Sequence, residues 1–319
     1  MPLTNVQSTV SQLFRDIGRV YFALLKVLIP ATIIVKVLEM FGATQWLASL
    51  LSPIMSVVGL SESLGLVWAV ALLTNIYTAM VVFYSIAGNE VITVADASVL
   101  GTMILIGHAL PVEGAVAKAT GVSWRATIAV RVGGAIVLGA ILNQIYLWGD
   151  WQQQPINLIW QPTASIDAGL TAWSVDQIQM LLTILVILSG LITLLRLLRW
   201  VGIEALMHKA LYPLLRSLTL GKEAANITVI GATLGLSFGA GLLIDEVKQG
   251  HISKRDTLLV MSFLGLCHSV IEDTLLILLL GADIMAILWA RIAFAVIVIA
   301  IWGRLLPGKS RSFANGAEK

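Results

Sequence analysis

Residues 107–114 read Gly107-His108-Ala109-Leu110-Pro111-Val112-Glu113-Gly114, and residues 267–274 read Cys267-His268-Ser269-Val270-Ile271-Glu272-Asp273-Thr274. Each stretch sets a histidine and carboxylates in the middle of a long apolar run. The two histidines are 160 residues apart, and the offset holds outward from them. Asp16 and Asp176, Gly42 and Gly202, Pro53 and Pro213, Asp96 and Asp256, Gly121 and Gly281, and Arg131 and Arg291 all match without a gap. Glu113 and Asp273 match with a change of one methylene. Apolar matches mean little in so apolar a chain, so the rare residue types carry the signal. The chain is an internal duplication.

The surroundings of these motifs set the solvent. Of 319 residues, 58% are hydrophobic and 12% charged, and the mean hydropathy is +0.92. Soluble domains carry roughly 25% charged residues, so the composition is that of an integral membrane protein. A net charge of +2 argues against nucleic acid as a partner, and a lone cysteine, Cys267, excludes an internal disulfide or a zinc-finger cluster. The first twenty residues lack the basic-then-apolar pattern of a cleaved signal peptide.

A span needs about 20 apolar residues. Such runs predict crossing helices at 17–41, 64–87, 124–148, 176–200, 226–247 and 284–305. Two shorter runs, 43–60 and 203–220, carry central prolines, and the second holds His208, Lys209 and Arg216. Charges at that density are costly in lipid, so both are read as amphipathic helices lying in the interface. Tryptophans 46, 124, 148, 151, 173, 200 and 302 fall near the proposed helix ends, as an aromatic belt would place them.

Charge then decides between topologies for 96–121 and 256–281. If each crosses once, the Lys and Arg of loops and tails split 8 against 7. If each is a re-entrant hairpin, the split becomes 12 against 3, with Lys248, Lys254 and Arg255 as the minority. The positive-inside rule favours the hairpins. The predicted fold is therefore an all-α integral membrane protein of two inverted-topology repeats. Each repeat has three spanning helices, one amphipathic interfacial helix and one re-entrant helical hairpin. The predicted divisions are a cytoplasmic segment 1–16, repeat one at 17–148, an external linker 149–175, repeat two at 176–305 and a cytoplasmic tail 306–319. A rival in which 43–60 and 203–220 cross, along with 96–121 and 256–281, gives five crossings per half, with an equally good charge bias and the repeats still inverted.

Polar groups at membrane depth are functional candidates. Hairpin tips meeting near the midplane would unite His108, Glu113, His268, Glu272 and Asp273 as a substrate- or ion-binding set. A membrane histidine is often only a packing residue with a hydrogen bond, but two at one repeat position argue otherwise. Arg131 and Arg291 are expected as structural ion-pair partners of Glu113 and Asp273. Asn75, in the polar patch Thr74–Thr78, and Ser237, in a glycine-rich counterpart, are candidate cavity liners. Imidazole and carboxylate together suit a metal, with His108, His268, Glu113 and Glu272 as ligands.

The duplicated apolar halves, with GHALPVEGAVAKATG in one and CHSVIEDTLLILLLGAD in the other, resemble the Gate or "nucleoside recognition" family of bacterial membrane proteins. The resemblance covers roughly 17–148 and 176–305. It extends to spore-maturation membrane proteins, to the membrane part of the ferrous-iron transporter and, more distantly, to concentrative nucleoside transporters. It implies transport of a small solute by paired re-entrant hairpins. Nucleoside transporters use Gln, Asn, Glu and Ser at the site, whereas His, Glu and Asp stand here, which turns the expectation toward a proton or cation.

The functional expectation is a secondary transporter, not an enzyme, for a small polar solute, in the cell inner membrane with both termini cytoplasmic. No cofactor is expected beyond a coupling proton or cation. The partners are a small solute or ion and the bilayer, and a second copy of the chain is compatible with the reading. The alternatives are a divalent metal-ion permease, a non-transporting membrane scaffold and an intramembrane enzyme. No GxxxxGK[ST] motif is present, so the chain carries no P-loop to drive transport.

Overall fold

The computed structural model describes residues 3–88, 90–158, 169–202, 206, 209 and 220–306. Among them the regular structure is helical throughout, with only one isolated bridge, between Thr93 and Pro155. Five stretches are long and apolar enough to cross a membrane: Ser11–Ile34, Val94–Ala119, Trp124–Gly149, Thr171–Leu198 and Met285–Leu305. Phe22, Ile34, Val186 and Ile297 are exposed apolar side chains on these helices, which suits lipid and not water. The protein is an all-α, multi-pass membrane protein.

Repeat one opens with the long helix α1 (Leu3–Met40). Gly42, at φ +68, turns the chain into α2 (Ala43–Val58). Next come α3 (Glu62–Leu73) and α4 (Ile76–Ala87), then α5 (Val94–Gly107) and α6 (Leu110–Ala119). A last crossing is built from α7 (Trp124–Ile128), a π-helical turn (Ala129–Gly133) and α8 (Gly134–Gly149). Repeat two follows with α9 (Leu170–Val201), α10 (Lys222–Leu234), α11 (Leu236–Lys248), α12 (Lys254–Leu266) and α13 (Glu272–Leu278). A second π turn (Met285–Ala290) leads into α14 (Arg291–Leu305).

The core forms around α5 and its counterpart α12. Both are buried along nearly their whole length, as expected of helices with no polar face. Helix α5 packs most closely on α8, and α12 on α10 and α14. Capping fixes where these helices begin. Thr93 and Asp96 form a reciprocal capping box on α5, and Ser253 caps α12 by accepting the Asp256 N–H. At the outer edge Arg196, late in α9, pairs with Asp16, early in α1.

Two placements differ from the sequence reading. The runs 64–87 and 226–247 are not single spans. Each is a pair of short helices packed side by side, α3 on α4 and α10 on α11. Ser63, at the start of α3, donates a hydrogen bond to Glu90, beyond the end of α4, and so closes the base of the first hairpin. The turns fall at Thr74–Asn75 and at Gly235, which are repeat-equivalent positions. Asn75 accepts from the Thr78 N–H and caps α4. Gly235 sits at φ +97 and ψ 160, a region open essentially to glycine alone.

Conversely, 96–121 and 256–281 are not hairpins. Helix α5 does not pack along α6, nor α12 along α13. The chain instead runs on through a break in each, and in the first repeat Val94–Ala119 is a single apolar stretch of 26 residues; 256–281 is not among the stretches that meet the span length and apolarity. The physical reason for the misreading is that hairpin and span were exchanged between neighbours. Either order returns the chain to the same side, and the intervening loop 88–93 contains no Lys or Arg to tell them apart.

The rival's crossing of 96–121 agrees with the span Val94–Ala119, and its crossing of 43–60 survives only as part of a bent pair, Ser49–Val58 with Glu62–Leu73, that is together apolar enough for a broken span or a re-entrant loop. Helix α2 has 16 residues and its segment Ser49–Val58 meets α3 at 99°. The amphipathic helix expected at 203–220, most of the linker centre (159–168) and the tail beyond 306 lie outside the described residues.

Candidate functional site

The two broken helices put their breaks against each other. In the first, α5 ends at Gly107, His108 is extended and Ala109 is left-handed at φ +49. Pro111 is not in the break. It sits in the first turn of α6, where a missing N–H costs nothing. In the second, Cys267 is extended, Ser269 is left-handed at φ +44, and α13 begins at Glu272. Non-glycine residues in this conformation cost roughly 1–2 kcal/mol each, so the surroundings must hold them.

The neighbouring hairpins supply part of that hold. The Ala109 N–H donates to the Ala71 carbonyl in α3 at 2.9 Å, and the Val270 N–H donates to Ala232 in α10 at 2.9 Å. Two buried arginines supply the rest. Arg131 Nη2 donates to the His108 carbonyl at 2.6 Å, and Arg291 Nη2 donates to the His268 carbonyl at 3.3 Å. The final carbonyls of a helix lack partners and carry partial negative charge, so each guanidinium caps a severed helix end. Both arginines are essentially inaccessible, and neither snorkels to a headgroup.

This arrangement brings the histidines together. Their ring centroids are 5.1 Å apart and the planes meet at 46°. His108 Nδ1 lies 3.0 Å from the Ile104 carbonyl, and His268 Nδ1 lies 2.7 Å from the Leu264 carbonyl. A carbonyl can only accept, so each Nδ1 carries the hydrogen and each Nε2 is the atom left to face the other polar groups. Those Nε2 atoms converge on one carboxylate oxygen. Glu113 Oε1 is 3.2 Å from His108 and 3.3 Å from His268. Asp273 Oδ2 stands 3.9 and 3.8 Å from the same two nitrogens.

The remaining expected residues divide. Glu113 pairs with Arg131 through its other oxygen, Oε2. Among the described residues Arg291 makes no ion pair with Asp273 and holds the His268 carbonyl instead. Glu272 is exposed and takes no part in the contacts made by the two imidazoles. Asn75 is half-buried at the first hairpin turn, with its side chain committed to capping. Ser237 falls in α11, and its side chain lies outside the described residues.

Residues 21–123 match the Gate family, described as nucleoside recognition. The Gate-like stretch runs from Tyr21 in α1 through α2, the first hairpin and the whole broken helix, and it stops at Ser123, the cap of α7. It therefore contains His108 and Glu113. The likeness read from the sequence is borne out there. The chain is also 29% identical over 276 residues to "Uncharacterized membrane protein YvoD" of Bacillus subtilis (strain 168), covering 86% of this chain and 87% of that protein. No solved structure matches.

Sequence reasoning missed the capping role of Arg131 and Arg291 and the part played by the Ala71 and Ala232 carbonyls. The first had a visible signal. The two arginines are repeat-equivalent and lie 23 residues beyond the two histidines, which ties them to the broken ends as much as to the carboxylates. The second had none, because a backbone carbonyl leaves no mark on the residue type.

A cavity of about 10 Å³ adjoins Glu113 and Arg131, lined also by Thr127, Met261, Ser262 and Gly265. By that measure it accommodates about one water. It extends toward Ala117 and Val122 at the far end of α6.

Proposed function

We propose that this chain is a secondary membrane transporter for a small polar solute, coupled to a proton or cation held between His108 and His268. The observation that carries the reading is the convergence of the two imidazole Nε2 atoms on Glu113 Oε1. Neutral imidazoles would set two lone pairs against two carboxylates, and a proton on Nε2 or a cation between the groups relieves that repulsion. A buried cluster that needs a mobile positive charge is what a coupled carrier requires, and a passive packing contact does not.

The architecture supports the same reading. Helical hairpins beside interrupted crossing helices, in repeats of inverted topology, are a recurrent transporter design, with the site where the repeats meet. Alternating access would come from the hairpins, with their broken helices, moving against α1 and α9. The orientation is supported by charge. With hairpins at 62–87 and 222–248, all fifteen Lys and Arg residues of loops and tails counted above fall on one side, including Lys248, Lys254 and Arg255. Lys36, in the last turns of α1, is the nearest exception. By the positive-inside rule that side is cytoplasmic, with both termini, and the membrane is the cell inner membrane.

The test is uptake into proteoliposomes under an imposed proton or cation gradient, with a panel of nucleosides and other small polar solutes. Gradient-dependent uptake that His108→Ala and His268→Ala both abolish is expected. Uptake that persists in both variants would remove the histidine pair from the mechanism.

A further inference from the structure

The transport reading leaves open what sits between the imidazoles. We infer that His108, His268 and Asp273, with Glu113 Oε1 beside both imidazoles, bind a divalent transition-metal ion of the zinc or ferrous-iron kind. The inference deepens the transport reading and rests on its choice of site, but not on transport itself.

Distances carry the argument first. Zinc binds nitrogen and carboxylate oxygen at about 2.0–2.2 Å in a tetrahedron, whose edges are then roughly 3.3–3.6 Å. The four nitrogen-to-oxygen separations across the cluster are 3.2, 3.3, 3.8 and 3.9 Å. One ligand atom each from His108, His268 and Asp273 lies within 4.8 Å of the others. The two longer separations exceed hydrogen-bond length, so a proton bridging one pair leaves Asp273 without a bond. A central ion serves both histidines and Asp273.

A second observation points the same way. Asp273 is 8% exposed, and its Oδ2 makes no hydrogen bond among the described residues. A buried carboxylate oxygen without a hydrogen bond is costly unless a cation satisfies it.

The surroundings are those of a metal site. Each histidine has its other nitrogen on a backbone carbonyl, which fixes the tautomer and presents Nε2 for ligation. Arg131 grips the far oxygen of Glu113 and orients the near one. The donor set of two imidazoles and two carboxylates suits zinc and ferrous iron, whereas magnesium and calcium favour oxygen alone.

The experiment is titration of the full-length, chelator-stripped protein in detergent with Co²⁺, read by the visible absorption of tetrahedral cobalt, followed by displacement with Zn²⁺. One equivalent per chain is expected. His108→Ala, His268→Ala and Asp273→Asn should each weaken binding at least tenfold, while elution as a single folded species is retained. His251→Ala, which removes an exposed histidine paired with Glu246, should bind as the parent does. Absence of saturable binding, or binding indifferent to both histidine changes, overturns the metal assignment. Uptake that needs the histidines but proceeds in chelator also overturns it, and leaves the transport reading standing. Metal binding with no uptake of any solute supports the assignment and overturns the transport reading.

Discussion

The imidazole rings of His108 and His268 lie 5.1 Å apart although 160 residues separate them in the chain. Nothing local brings them together. Each is carried to the meeting point by the interruption of a buried helix, and each interruption is held by an arginine from the crossing that follows.

That dependence makes Glu113 a structural residue as well as a site residue. Glu113→Gln leaves Arg131 buried beside an uncharged partner. Removing one member of a buried pair typically costs about 3–5 kcal/mol. A marked fall in the thermal unfolding midpoint in detergent is expected, with partial recovery in the double variant Glu113→Gln, Arg131→Gln. A single variant as stable as the parent would mean that the His108 carbonyl alone suffices for Arg131.

The left-handed residues give a test of the opposite sign. Ala109→Gly relieves a conformation that costs alanine about 1–2 kcal/mol, against which glycine's greater freedom in the unfolded chain must be set. Ala109→Val adds a β-branched side chain to the same conformation. The expected order of thermal stability is glycine at or above alanine, and valine well below both. Valine matching alanine would show that the break at 109 is not left-handed.

At the hairpin turns the expectation separates the repeats. Gly235 occupies a glycine-only conformation, and an added Cβ would lie 2.9 Å from Ser269 Oγ. Gly235→Ala should cost on the order of 1–3 kcal/mol and disturb the second break. Asn75→Ala loses only a helix cap, about 0.5–2 kcal/mol. Melting curves of the two variants decide it, and equal losses would argue against the strained turn.

Topology is open to labelling. Cys267 is buried, so single cysteines can be read above a quiet background. Positions 91 and 151 should react from one side of the membrane, and positions 125 and 249 from the other. Reagent reaching 91 and 125 from the same side would falsify the crossing of Val94–Ala119.

Much of this was legible in the residues, and unevenly so. The solvent, the duplication and the pairing of the histidines follow from composition and from rare residues at a fixed spacing. The order of hairpin and span did not follow, because runs of similar length and apolarity stand side by side and the loop between them bears no basic residue. The three basic residues at 248–255 were the only charge signal, and they stood as the minority that did not fit. Thr74–Asn75 and Gly235 did mark the true turns. A polar pair and a glycine look unalike as letters, yet each ends a helix, one by offering a cap and the other by freeing the backbone.

Position 113 carries a glutamate and position 273 an aspartate, and only the longer side chain reaches an arginine. If two mirrored halves trade places as a carrier turns from one face of the membrane to the other, perfect likeness would leave both facings equally populated. One methylene spoils that equality. In such a carrier the facing that lets Glu113 keep its arginine would be favoured, and the difference between two otherwise equivalent acids would set the resting direction.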